Sequence, residues 1–113
     1  MKSNTNISFL NDVKLKTVLE KLIPVFKPLQ VYLFGSTARE QAGPDSDYDL
    51  MFIVSDTAPP ELKKSKLAYQ TLFGTGIGAD ILIWTESNFN RRLHVITSLP
   101  ATIKREGKLL YAQ

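Results

Sequence analysis

The sequence predicts an α/β (α+β) protein, a small mixed β-sheet with flanking helices, and three observations lead there. Segments with helical spacing alternate with strand-like runs, the interiors of those runs are continuously apolar, and Gly, Pro and Asp clusters separate them. A strand that is apolar throughout is covered on both faces, which places helices against the sheet. The 113 residues have room for one core, so 1–113 reads as a single domain. The pattern leaves the strand order open.

Leu15, Val18, Leu19, Leu22 and Phe26 are spaced like one face of a first helix, with Asp12 as N-cap and Pro24 and Pro28 marking its end. Gln30 to Phe34 is a β-rich apolar run stopped by Gly35. Ser36 then caps a short helix to about Ala42, and residues 43–46 (Gly-Pro-Asp-Ser) read as a turn. Tyr48 to Val54 is a second buried strand. Pro60 suits the first position of a helix whose apolar residues Leu62, Tyr69, Leu72 and Phe73 pack one face. Gly74, Gly76 and Gly78 break it before a third strand, Ala79 to Trp84. Ser87 to Ile96 reads as helix, Leu99 to Glu106 as a short helix stopped by Gly107, and Leu109 to Tyr111 as a final strand.

Composition narrows the function classes. The chain is 43% hydrophobic and 22% charged, as in ordinary globular proteins, and no apolar run is long enough to span a bilayer. The polar start, Met1 to Asn6, lacks the apolar core of a signal peptide, which predicts a cytoplasmic protein. Without cysteine there are no disulfides and no thiolate metal ligands. The net charge of +3 is spread over small groups, Lys14/Lys16/Lys21, Lys63/Lys64/Lys66, Arg91/Arg92 and Lys104/Arg105/Lys108, which read as solvated faces. Such a field assists a triphosphate but does not argue for nucleic acid.

The chemistry concentrates in two stretches, residues 34–39 (Phe-Gly-Ser-Thr-Ala-Arg) and 46–50 (Ser-Asp-Tyr-Asp-Leu). Gly35 ends a strand and lets backbone approach a ligand, and Ser36 opens a helix whose free N–H groups favour an anion such as phosphate. A plain strand-to-helix turn with a serine cap would look the same. Asp47 and Asp49, two apart on a strand, point to one face while Tyr48 and Leu50 point to the other. Two adjacent carboxylates repel unless a cation lies between them, and oxygen-only ligands suit Mg²⁺. A turn through Asp45, Ser46 and Asp47 would leave Asp49, bordered by an apolar run, unexplained. Asp80 heads its own apolar strand; if the strands are neighbours, three acids converge at one sheet edge. Three carboxylates beside an anion-binding helix start form a template for two metal ions and a triphosphate.

The residues Leu33-Phe34-Gly35-Ser36-x-Ala38-Arg39, Ser46-Asp47-Tyr48-Asp49-Leu50 and Ala79-Asp80-Ile81 resemble the minimal nucleotidyltransferases of the polymerase β and kanamycin nucleotidyltransferase superfamily. The ending Ile103-Lys104-Arg105-Glu106-Gly107-Lys108-Leu109-Leu110-Tyr111 is a weaker echo. The resemblance implies that Gly35 and Ser36 bind nucleotide phosphates with Arg39 as helper. It implies that Asp47 and Asp49 hold two Mg²⁺ ions, and that Asp80 binds the catalytic ion and helps to activate a hydroxyl. Thr37 stands where arginine is frequent and Glu40 where glycine is frequent, which bears on the phosphate contacts alone.

By the same resemblance the reaction is transfer of a nucleoside monophosphate, AMP from ATP, and many small members are antitoxins that inactivate a HEPN-type toxin. The partner would carry the acceptor, a tyrosine hydroxyl, with Phe89 or Leu93 as exposed anchors. Two alternatives stand beside this: neutralisation of the partner by contact alone, and a homodimer acting on a small molecule. His94, Trp84 and Tyr111 read as structural.

Overall fold

The computed structural model describes residues 4–5, 12–35 and 48–113. The helix expected from Ser36 and the turn at 43–46 lie outside them. Five strands, β1 (Asn4–Thr5), β2 (Gln30–Phe34), β3 (Tyr48–Val54), β4 (Ala79–Thr85) and β5 (Lys108–Ala112), form one mixed sheet in the order β1-β5-β2-β3-β4. All neighbours are antiparallel except β3 and β4, which run parallel. Such a pair needs a crossover connection, and the segment between them supplies it.

Helix α1 (Val13–Phe26) begins where expected: the Asp12 carboxylate accepts the Leu15 N–H at 3.1 Å, an N-cap bond. It runs through Pro24, which removes a single bond in the last turn, and stops at Lys27 in the left-handed region (φ 48°). The crossover holds two pieces rather than one helix. A 3₁₀ turn (Pro60–Lys63) gives way at Lys64, whose backbone is extended, before α2 (Lys66–Leu72). Helix α3 (Glu86–Arg91) is shorter than its expected span to Ile96. Asn88 and Asn90 are poor helix formers, Val95-Ile96-Thr97 is a β-branched run, and residues 92–98 make successive turns instead. Helix α4 (Leu99–Glu106) has the expected limits. Gly107 stops it without a positive φ: a Cβ there would lie 2.6 Å from the Ile103 carbonyl oxygen and 3.0 Å from that of Leu33.

Both faces of the sheet are covered over the central strands β2 and β3, while β4 and β5 are only partly buried. On one face Leu15, Val18, Leu19, Leu22 and Phe26 of α1, with Ala68 and Leu72 of α2, pack on Val31, Leu33, Tyr48, Leu50, Phe52 and Ile81. Each such large aliphatic side chain, fully buried, contributes about 1.5–3 kcal/mol. On the other face Phe89 of α3 and Ile103 of α4 pack on Tyr32, Met51 and Ile53. Tyr32 and Phe89 stack with ring centroids 6.1 Å apart. The expectation that Phe89 is an exposed anchor is therefore wrong; it is 2% exposed, and Leu93 packs partly against the same cluster. Phe73, expected to pack inward, is 90% exposed.

Candidate active site

Alternation along β3 sends Tyr48, Leu50 and Phe52 to the α1 face and Asp49, Met51 and Ile53 to the other. Asp80 shares its face with Leu82 and Trp84 by the same rule. In the parallel β3–β4 ladder Asp49 and Asp80 are direct register partners. Neighbouring strands lie about 4.8 Å apart, so the two carboxylates stand side by side on one face. Asp49 is half-buried and Asp80 exposed, at the end of the sheet where both strands begin.

Gly35 completes the juxtaposition. Phe34 pairs with Asp49 across β2 and β3, and the chain turns at Gly35 with φ 75°, a conformation that side chains rarely adopt. A Cβ at this position would overlap Oδ2 of Asp49 and lie 3.2 Å from its Cγ. The absent side chain is the space that the Asp49 carboxylate fills.

Behind the site, the Tyr48 hydroxyl donates to the Asp12 carboxylate, 2.8 Å from Oδ1 and 2.7 Å from Oδ2. Burial pushes the Tyr48 hydroxyl pKa up to about 12, helped by the hydrogen bond to Asp12 and by its negative charge. One carboxylate thus caps α1 and ties it to the residue beside Asp49. Beyond β4, the Tyr69 hydroxyl accepts the Ile81 N–H at 3.0 Å, next to Asp80 on the outer strand. Neither link is legible in sequence, where the partners are 36 and 12 residues apart.

Of the six residues singled out from sequence, the structure brings Gly35, Asp49 and Asp80 together. Ser36, Arg39 and Asp47 lie outside the described residues. Among the described residues no three His, Cys, Asp or Glu side chains cluster as a metal site. The pair that does assemble is oxygen-only and carboxylate, the donor chemistry of a hard divalent cation. His94 is exposed in the turns after α3, and Trp84 and Tyr111 pack at the margins of the two core clusters. No helix among the described residues is long and apolar enough to cross a membrane.

Comparison with known proteins identifies the fold and the family. Solved structures that share the fold include three with TM-scores of 0.51 to 0.55. The first, a toxin–antitoxin with AMP-PNP, is 22% identical with a TM-score of 0.55, covering 91% of this chain and 74% of that one. A mutant of the toxin–antitoxin MntA-HpeT, with two aspartates two positions apart changed to glutamate, is 18% identical with a TM-score of 0.52, over 88% and 72%. A candidate nucleotidyltransferase from Sulfolobus solfataricus is 23% identical with a TM-score of 0.51, over 69% of each chain. No curated protein matches the sequence significantly. The family model described as nucleotidyltransferase domain matches residues 13–110, from the first turn of α1 into β5, and so contains every element that builds the site. The chain belongs to the nucleotidyltransferase domain family.

Proposed function

We propose that the chain is a Mg²⁺-dependent nucleotidyltransferase that moves AMP from ATP to a hydroxyl of a partner protein, and that it acts as an antitoxin. A tyrosine of a HEPN-type toxin is the acceptor in this reading. The observation that carries it is the in-register pair Asp49 and Asp80, with Gly35 leaving room for the Asp49 carboxylate. Family membership and fold neighbours described as toxin–antitoxins, one with AMP-PNP, support it.

Asp47, Asp49 and Asp80 would hold two Mg²⁺ ions. Bound there, Mg²⁺ supplies charge neutralisation for the phosphates and makes the acceptor hydroxyl more acidic. Gly35, Ser36 and Arg39 would receive the triphosphate. The acceptor oxygen forms a bond to the α-phosphorus as the bond from that phosphorus to the bridging oxygen breaks, and pyrophosphate departs. Asp80, the more exposed acid, would take the acceptor's proton in this reading. Asp49, held from behind through Tyr48 and Asp12, keeps the phosphate side in register.

Incubation with α-labelled ATP, Mg²⁺ and the product of the adjacent gene tests this. Label on the partner protein, lost with Asp49→Asn or chelation, is expected. A partner that stays unlabelled while a free small molecule is modified would overturn the protein-acceptor reading.

A further inference from the structure

Helix α2 presents an open groove of about 520 Å³ lined by Lys66, Tyr69, Gln70 and Phe73. Phe73 is 90% exposed and Tyr69 46%, a concentration of bare aromatic surface that a core of this quality does not require. Its lining contains a cation and no acid, and Lys64, two residues before Lys66, is also exposed. Tyr69 joins the groove to the chemistry: its ring lines the groove while its hydroxyl holds the Ile81 N–H, one residue from Asp80. A molecule seated on Tyr69 and Phe73 therefore lies along the open edge of the outer strand, on the α1 side of the sheet, and reaches Asp80 on the opposite face around that edge.

We propose that this groove receives the protein acceptor, through an acidic segment that carries one apolar anchor. The inference rests on the reading above that the acceptor is a protein. Aromatic side chains are the usual anchoring points of protein interfaces, and cationic rims select partners of opposite charge. The anchor packs on Phe73 and Tyr69, its carboxylates face Lys66 and Lys64, and the Gln70 amide hydrogen-bonds the segment's backbone. The second open groove, lined by Leu93, Ile96, Ala101, Lys104 and Arg105, also offers apolar and basic groups, but its Lys104 reaches the sheet at Tyr32 of β2 rather than at the outer strand.

The test needs no turnover, so it can fail while the catalytic reading stands. Random peptides displayed on phage are selected on the immobilised full chain, and the consensus peptide is labelled with fluorescein for anisotropy. The expected consensus is a Leu, Phe or Trp flanked by Asp or Glu. Phe73→Ser and Lys66→Glu should each weaken its binding about tenfold or more, with melting temperature and MgATP affinity retained. Ile96→Ser, in the other groove, should change nothing. The proposal is overturned by selection without a consensus, by a consensus lacking acids, or by binding indifferent to Phe73→Ser. Loss of MgATP affinity in Phe73→Ser would also overturn it, reassigning the groove to the nucleobase.

Discussion

The Tyr48 hydroxyl sits between the two carboxylate oxygens of Asp12, and through this contact the start of α1 is fastened to the strand residue that precedes Asp49. The bond is part-buried and involves an acid, which places its loss at roughly 1.5–3 kcal/mol. Tyr48→Phe should cost about that much in denaturant unfolding near neutral pH. The variant also changes the alkaline limb. A folded pKa of about 12 lies above the unfolded value near 10, so this contribution is complete below pH 10 and drains away as pH rises toward 12. The stability difference between wild type and Tyr48→Phe should therefore shrink over that window. A constant difference would contradict the assignment.

Asp80 and nucleotide binding should separate. In Asp80→Ala, turnover should fall about 10²–10⁴-fold, the range for loss of a general base. MgATP should still bind and raise stability, by about 2.7 kcal/mol at a hundred times its dissociation constant. Single-turnover assays with calorimetric titration check both, and normal turnover would remove Asp80 from the mechanism.

Gly35→Ala places a methyl group on the Asp49 carboxylate and forces a side chain into φ 75°. The backbone term alone costs about 1–2 kcal/mol. Because Asp49 must move, Mg²⁺ affinity should drop together with thermal stability. Gly74→Ala, also at positive φ but with nothing within 4 Å of its Cβ, should lose stability only.

Phe89→Ala tests the second core cluster. The ring is almost fully buried and stacked on Tyr32, so truncation should cost about 3–5 kcal/mol. A variant that stays stable while losing partner binding would restore Phe89 as an interface residue.

Much of the fold was legible because the strands carry their own signal. Gln30–Phe34, Tyr48–Val54 and Ala79–Thr85 are apolar runs bounded by Gly or Asp, and they lie where periodicity puts them. Helix limits were read less well wherever tertiary contacts override propensity: α1 passes through Pro24, and Lys64 breaks the crossover helix without a Gly or Pro. The partnership of Asp49 with Asp80 was conditional on strand adjacency, which no local pattern encodes. Asp12 was legible as a cap, but its second bond, to Tyr48, crosses 36 residues and has no sequence signature. The short β1 escaped for a simpler reason, since two polar residues show no periodicity.

The sheet order has a consequence for how the chain is made. Strand β5, residues 108–112, inserts between β1 and β2, so β2 has β3 on one side and nothing on the other until those residues arrive. During synthesis the nascent protein thus carries an apolar strand with an open row of N–H and C=O groups, a template for pairing with other chains. The most aggregation-prone species is the one that lacks β5. A chain cut before Lys108 should enter inclusion bodies, whereas supplying residues 108–112 as a separate peptide should return part of it to solution.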